Sequence, residues 1–207
     1  MPVSELEVCS THSISQVTKM LASYPYKFIC SDAKAGVYSS VYLLGFGGGA
    51  VAGDSQQLKI VLKENAILIL RTQGSTKIFK SVDGKYSTQH LAVELSNGSL
   101  FAFLPDPTTC FRGSKYDQHQ IYNLQESARW IIFDCISIYF QHSIIFMISF
   151  TVDLNIFCAS LFSHDPGLFF FSPFFFYQSG SRGLVHVRTN GSLHFIHFFH
   201  FICYCFT

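Results

Sequence analysis

LLGFGGGAVAGD (residues 43–54) is a strand-like run that breaks into three consecutive glycines and ends on Gly-Asp. Within it, residues 45–50 match the G-x-G-x-x-A pattern of dinucleotide-binding proteins, in which the pyrophosphate lies at the N-terminus of a helix that follows directly. Here residues 51–57 are turn-like and lead into another strand. We therefore interpret the glycines as a bend where strands cross closely or adopt positive φ.

RTQGSTKIFKS (residues 71–81) is a strand that meets a polar segment and then resumes. Thr72, Ser75 and Thr76 carry hydroxyls, and Lys77 could act as a base, but no histidine or carboxylate stands at a spacing that supports a nucleophilic site. The segment is typical of a polar loop whose side chains satisfy a bent backbone.

Short apolar runs punctuated by turn signals fill the chain up to residue 134. We predict two strands over residues 13–30, broken at Pro25, and further strands over 37–44, 58–63, 66–71, 78–80, 90–95, 100–104, 115–124 and 128–133. Asp83-Gly84 and Asn97-Gly98 are hairpin-type dipeptides. Residues 1–12 are polar, and we expect them to be frayed. The pattern predicts an all-β fold.

The composition divides the chain near residue 134. Of the 27 charged residues, only Asp153, Asp165, Arg182 and Arg188 lie beyond Asp134, whereas 16 of the 23 phenylalanines lie there. The net charge of +1 gives no electrostatic argument for a nucleic acid or an acidic membrane surface as a partner. We expect one domain over residues 1–134 and a Phe-rich tail over 135–207 that is not part of the fold.

The seven cysteines are scattered, odd in number and without CxxC spacing, which favours free thiols in a reducing compartment. The N-terminus lacks the basic and apolar regions of a signal peptide, so the sequence favours the cytoplasm. In the tail, His194, His197 and His200 are spaced so that they drift off one face of a helix or strand, which is a weak pattern for a metal site. Residues 131–150 are long enough for a membrane helix, but Asp134, Gln141 and His142 interrupt them, and a charge is costly inside a bilayer.

Residues 24–134 resemble the urease accessory protein UreD family, called UreH in some organisms. The resemblance is carried by Tyr24-Pro25, by YLLGFGGGAVAGD (residues 42–54), by TQGSTK (residues 72–77), by LPDP (residues 104–107), by Cys110-Phe111 and by the Tyr116-x-Gln118 pair. The combination of GGGxVxGD, TQxSTK and PDP in this order is far more specific than a lone glycine loop. It covers just over half of the chain.

The resemblance implies a protein that is not an enzyme. It implies a β-helix-like scaffold of stacked short strands, here incomplete, that acts as a chaperone in assembling the nickel metallocentre of urease. The implied partners are UreF, the GTPase UreG through UreF, and apo-urease, with nickel in transit and no tightly bound cofactor. The interface candidates are the matched positions Gly47, Gly48, Gly49, Gly53, Asp54, Thr72, Gln73, Ser75, Thr76, Lys77, Pro105, Asp106, Pro107, Tyr116 and Gln118.

The tail departs from the family pattern, which continues after Asp134 with a tryptophan and a Ser-Gly-Arg segment. FFFSPFFFYQ (residues 169–178) can be encoded almost entirely by pyrimidines followed by CAG, as at the end of an intron. We therefore hypothesise that residues 135–178 translate a retained intron. Two alternatives stay open at this point: a membrane-anchored protein with a soluble β-rich head, and an oxidoreductase that would bind NAD(P)H and place a helix after Gly49.

Overall fold

The computed structural model describes residues 2–30, 36–140, 143–152, 155–163, 170–172, 183–189 and 192–196, with side chains as far as Ser137. Most of the described chain is β-strand, and the one helical element within it is a 3-10 turn at Phe46–Gly48. The predicted all-β architecture of stacked short strands is therefore confirmed.

Eighteen strands make up the described chain. They are β1 (Ser4–Thr11), β2 (Ile14–Leu21), β3 (Tyr26–Cys30), β4 (Ser39–Gly45), β5 (Gly49–Ala50), β6 (Ser55–Leu62), β7 (Ile67–Thr72), β8 (Thr76–Ile78), β9 (Ser87–Leu95), β10 (Leu100–Leu104), β11 (Thr108–Cys110), β12 (Tyr116–Leu124), β13 (Arg129–Phe140), β14 (Ser143–Val152), β15 (Asn155–Ser163), β16 (Phe170–Ser172), β17 (Gly183–Thr189) and β18 (Ser192–Ile196).

The strands wind into a β-solenoid of about three turns. Sheet A has the strand order β18-β17-β12-β9-β6-β1-β2, sheet B has the order β16-β15-β14-β13-β10-β7-β4-β3, and the short strands β5, β8 and β11 pair into a small third face. Each turn visits a strand of sheet B, then a short strand of the third face, and then a strand of sheet A: β4–β5–β6, β7–β8–β9 and β10–β11–β12. Successive turns stack with parallel pairing on all three faces, as between Ile60 and Val93 on sheet A. Antiparallel β2 and β3 extend the two large sheets at the N-terminal end.

The core lies between sheets A and B because the strands alternate inward apolar and outward polar residues. In β6 every second residue from Gln56 to Leu62 is buried, and such burial stabilises each aliphatic side chain by roughly 1.5–3 kcal/mol. Trp130 is almost fully buried and packs on Tyr122, with ring centroids 4.7 Å apart. A second, smaller cluster of Ala50, Ile78, Cys110, Tyr116 and Ile136 fills the space beneath the third face.

The first corner, where the chain leaves sheet B for the third face, shortens by one residue per turn. Tyr42, Arg71 and Leu104 share one row of sheet B, and Gly49, Lys77 and Thr109 share one row of the third face. The connection between these two rows has six residues in the first turn (43–48), five in the second (72–76) and four in the third (105–108). The corner is therefore widest at the glycine segment.

The structure corrects three sequence predictions. Residues 1–12 are not frayed, since β1 lies inside sheet A between β2 and β6 with Leu6 and Val8 buried. Asp83-Gly84 and Asn97-Gly98 do not form hairpins, since each connects strands of different faces. Both dipeptides still supply the expected positive φ, 78° at Gly84 and 70° at Gly98. The short strands β5 and β11 were not predicted.

The backbone beyond Asp134 contributes strands to both sheets. β13 continues through Asp134 to Phe140, β14 to β16 extend sheet B in antiparallel order, and β17 pairs in parallel with β12. Residues 131–140 and 143–150 thus lie in strands. Across the described segments, the structure contains no helix with the length and apolar character needed to span a bilayer. The division at residue 134 stays a prediction.

The Phe-rich segment 173–178, His197 and His200 lie outside the described residues, and the side chain of His194 does too. The metal hypothesis for these histidines therefore stays untested. So does the hypothesis that residues 135–178 translate an intron.

Candidate functional site

The sequence motifs singled out above occupy the same first corner in successive turns of the solenoid. The glycine segment connects β4 to β5, the polar segment 72–76 connects β7 to β8, and Pro105-Asp106-Pro107 connects β10 to β11. Because the turns stack in register, three stretches that are far apart in sequence form one continuous surface. The structure thus brings the main motifs together.

Thr72 and Asp106 link the second and third turns at this corner. The backbone N–H of Asp106 donates to Thr72 Oγ1 at 2.6 Å, and the same hydroxyl lies 3.4 Å from Asp106 Oδ2. Asp106 Oδ2 also accepts the N–H of Gly74 at 2.8 Å, and the Pro107 carbonyl accepts the N–H of Thr76 at 3.2 Å. The polar loop is therefore held by the aspartate of the next turn through long-range bonds to its backbone and hydroxyl groups.

The glycine segment forms the widest of the stacked corners. Gly47 and Gly48 have φ values of 70° and 67°, which only glycine adopts without strain. Gly49 is extended, but a Cβ there would lie 2.1 Å from the Lys77 carbonyl oxygen and 2.8 Å from the Phe79 ring. The bend expected from the sequence is thus confirmed, and a strand follows it where a dinucleotide site would need a helix.

A narrow cavity of about 60 Å³ lies behind the first corner. This volume accommodates a few water molecules and is far too small for a dinucleotide. Its lining comes from all the stacked turns and consists of Tyr26, Leu43, Gly45, Gly48, Gly49, Gln56, Thr72, Gln73, Gly74, Ser75, Thr76, Gln89, Phe103, Pro105, Asp106, Thr108, Gln118 and Asp134.

A ladder of glutamines forms the inner wall of the cavity. Gln56, Gln89 and Gln118 are paired in register on β6, β9 and β12. Tyr26 connects two of them, since its hydroxyl donates to Gln56 Oε1 at 3.2 Å and accepts from Gln89 Nε2 at 2.9 Å. The hydroxyl of Tyr116 in turn donates to Gln89 Oε1. Burial raises the pKa of Tyr26 to about 12, although the bond from Gln89 acts in the opposite direction.

Asp134 is the carboxylate at the inner end of the cavity. Its Oδ2 accepts hydrogen bonds from Gln118 Nε2 and Gln120 Nε2, both at 3.1 Å. Burial raises the pKa of Asp134 above its ordinary value, and the two amide donors only partly offset this effect. Burial also raises the pKa of Tyr116 and Tyr122, and the nearby Asp134 adds to both shifts. The network is therefore hydrogen-bonded, largely shielded from water and reluctant to carry charge.

The cavity lining offers oxygen and amide groups and no strong nucleophile. The described residues that line it include two carboxylates, Asp106 and Asp134, but no histidine, cysteine or lysine. Throughout the described residues, no three His, Cys, Asp or Glu side chains are grouped so that they could hold a metal ion. Such a lining can hydrogen-bond water or a hydrated cation, and it lacks the converging ligands of a fixed metal site.

Nine of the fifteen candidate residues line the cavity: Gly48, Gly49, Thr72, Gln73, Ser75, Thr76, Pro105, Asp106 and Gln118. Gly47, Pro107 and Tyr116 lie next to it in the chain or in the hydrogen-bond network. Lys77 is exposed on the outer side of the third face, and Gly53 and Asp54 form a turn at a different corner, where Asp54 Oδ2 accepts the N–H of Val51 at 2.9 Å.

The sequence reasoning missed Tyr26, Gln56, Gln89 and Asp134. A usable signal was present in SQQLKIVL, where strict alternation places Gln56 on the same side as Leu58, Ile60 and Leu62. A glutamine on the buried side of a strand needs internal hydrogen-bond partners, so it indicates a polar interior.

Comparison with known proteins identifies the family. The sequence model of the family described as UreD urease accessory protein matches residues 3–138. Urease accessory protein D of Oryza sativa subsp. indica is 36% identical over 124 residues, which cover 58% of this chain and 40% of the rice protein. Its namesake from Arabidopsis thaliana is 32% identical over 126 residues, 59% of this chain and 43% of that protein. Urease accessory protein UreD of Sorangium cellulosum is 35% identical over 119 residues, which cover 58% of this chain and 37% of the Sorangium protein.

The chain spans about two fifths of the length of the curated relatives that it matches. The family match begins at residue 3, and so it includes β1 and β2 as well as the residues from 24 onward that suggested the resemblance. It covers about two thirds of the chain, and it includes all three motifs of the first corner. The chain therefore belongs to the UreD family of urease accessory proteins.

Proposed function

We propose that this chain acts as a non-enzymatic scaffold in the assembly of the nickel metallocentre of urease. In this proposal it binds UreF, and through UreF the GTPase UreG, and docks with them on apo-urease. Nickel passes through the assembly as cargo, and the chain holds no resident cofactor. The assembly is cytoplasmic.

The observation that carries the proposal is the family match over residues 3–138 together with the stacking of its motifs at one corner. The chemistry of the cavity supports a scaffold, because hydroxyls, amides and two carboxylates line it and no strong nucleophile does. A solenoid with three stacked faces also presents long, rigid surfaces on which several partners can dock.

Co-expression tests the proposal directly. A tagged chain of residues 1–207 is produced with UreF, UreG and apo-urease of the same organism, and UreF is measured in the purified complex along with the urease activity that nickel restores. Retention of UreF together with nickel-dependent activation supports the proposal. Absence of both, with the chain itself soluble and folded, contradicts it.

A second chain tests whether the divergent tail matters. Residues 1–134 are fused to the corresponding C-terminal part of a full-length relative. If the tail is foreign to the fold, this fusion should bind UreF better than residues 1–207 do. Equal binding by the two chains would show that the tail is no obstacle and would contradict the retained-intron hypothesis.

A further inference from the structure

The outer surface of the third face carries a row of apolar side chains that the cavity does not use. Ala50, Ile78 and Cys110 are paired in register and point into the core. The residues that follow them, Val51, Phe79 and Phe111, therefore occupy equivalent outward positions in the three turns. We call these three residues the apolar stripe.

Two of the three side chains of the apolar stripe are exposed, and the third, Phe111, is half-buried. Val51 is 51% exposed and Phe79 is 36% exposed, and the rings of Phe79 and Phe111 lie 5.7 Å apart between centroids. The ring of Phe79 lies close above Gly49, where a Cβ would come within 2.8 Å of it. The absence of a side chain at Gly49 thus allows the stripe to lie flat against the solenoid.

Cations border the apolar stripe on both sides. Lys77 occupies the neighbouring outward row, and Lys80 and Arg112 directly follow Phe79 and Phe111; all three are exposed. Among the described residues, no carboxylate forms an ion pair with Lys77, Lys80 or Arg112. The two nearby carboxylates have other contacts, since Asp54 accepts the N–H of Val51 and Asp83 pairs with Lys85 at 2.9 Å.

From this arrangement we propose that the apolar stripe and its cations bind an acidic amphipathic α-helix of a partner protein. The apolar residues repeat once per solenoid turn, about 4.8 Å apart along the stack. An α-helix lying along the same direction advances about 5.4 Å per turn, so it presents one apolar side chain to each turn of the solenoid. Glutamates or aspartates beside that apolar row meet the bordering cations.

An extended strand fits the surface less well. Its side chains on one face repeat about every 6.6–6.8 Å, and so they lose register with the solenoid turns after one step. A lipid surface would need a larger apolar area or a longer basic segment than three cations supply. The spacing of the apolar residues along the stack and the positive charge beside them therefore both favour an acidic helix as the partner.

The test uses the full chain and a labelled synthetic helix as a probe. The helix carries leucine and phenylalanine at i, i+3 and i+7 and glutamate on both flanks, and its binding is followed by fluorescence anisotropy. The Lys80→Glu, Arg112→Glu double variant should bind about tenfold or more weakly, and added salt should weaken the wild-type complex. Phe79→Ala should also weaken binding, which separates apolar contact from charge alone.

Four controls accompany the test. Lys27→Glu changes an exposed lysine of β3 and should bind the probe as wild type does. The same helix with lysine in place of glutamate should not bind, and phosphatidylserine vesicles should not compete. Thermal unfolding, followed by the fluorescence of Trp130, confirms that each variant is folded. Unchanged affinity in the double variant, an equal loss in Lys27→Glu, or displacement of the probe by vesicles would overturn the proposal.

Discussion

Asp106 and Thr72 are 34 residues apart in the chain, and the backbone N–H of Asp106 donates to the Thr72 hydroxyl at 2.6 Å. The Asp106 side chain completes the link by accepting the N–H of Gly74 at 2.8 Å. A threonine at the first corner of one turn and an aspartate at the first corner of the next therefore hold each other in place. This explains in physical terms why a TQxSTK segment and a PDP segment occur together.

Thr72→Val should lower the free energy of unfolding by roughly 0.5–1.5 kcal/mol, because it removes the acceptor for the Asp106 N–H while keeping the shape of the side chain. Urea denaturation followed by the fluorescence of Trp130, the only tryptophan in the chain, measures the change. Thr72→Ser keeps the hydroxyl and serves as the control. Equal stability of the valine and serine variants would show that the hydrogen bond contributes nothing.

Gly49→Ala should destabilise the fold by about 1–3 kcal/mol, the range for inserting atoms into a packed site. The new Cβ would collide with the Lys77 carbonyl oxygen of the next turn, which is backbone and cannot move alone. Gly45→Ala is the matched control, because Gly45 has a φ of −97° and nothing within 4 Å of the added atom. The same denaturation experiment should therefore show a loss at position 49 and none at position 45.

Asp134→Asn should stabilise the protein increasingly as the pH rises. The folded-state pKa of Asp134 is raised above 3.8, so its protonated form favours folding. This contribution to the stability of the fold is fully present below about pH 3.8, and it is lost as the pH rises through the pKa that Asp134 has in the folded state. Asparagine keeps an oxygen for the two glutamine donors and never ionises. Urea denaturation at about pH 3.5, below the ordinary pKa of an aspartate, and at about pH 8 should show the larger difference at the higher pH; a difference that does not change with pH would contradict this assignment.

The register of β17 suggests that the fourth turn of the solenoid is split. Gln89, Gln118 and Gly183 share one row of sheet A, and Lys77, Thr109 and Ser137 share one row of the third face. The connection from the third-face row to the sheet A row has eleven residues in the second turn (78–88) and eight in the third (110–117). In the fourth turn it has 45 residues (138–182).

A chain without residues 142–177 keeps nine residues for this connection and should fold into an uninterrupted fourth turn. We expect it to be more soluble and to unfold in one transition at a higher urea concentration than the full chain. Sequencing of full-length transcripts tests the separate hypothesis of a retained intron, under which some transcripts should lack the codons for about residues 135–178. A destabilised deletion chain, with every transcript retaining the segment, would establish the segment as genuine protein.

The local structure of this chain was largely readable from its sequence, but the pairing of its strands was not. Short apolar runs, alternation and turn signals together placed β6, β7, β9, β10 and β12, and the glycine run predicted a bend. The dipeptide Asn97-Gly98 was misread because a positive φ serves a solenoid corner as well as a hairpin, and nothing local distinguishes the two. Stacking of one turn on another is a long-range property.

The N-terminal error has a simpler cause. SELEVCST looks polar, yet Ser4, Leu6 and Val8 all face inward, and β6 covers one edge of the strand while β2 covers the other. Only three inward positions carry the signal, which is too few to outweigh the polar neighbours. For the site, the family resemblance alone was enough to identify the three motifs. The sequence did not show that they meet at one corner with the glutamine ladder behind it, because this depends on the register in which the strands stack.

The stepwise shortening of the first corner also bears on how this chain avoids misfolding. A solenoid of identical repeats can slip by a whole repeat and still satisfy its hydrogen bonds, which leaves several nearly equivalent arrangements. Here a slip would lay a corner of six residues where one of five belongs, and would separate Thr72 from Asp106. The unequal corners therefore favour a single register in which the turns stack. They also make the two ends of the solenoid different, so that a partner can distinguish one end from the other.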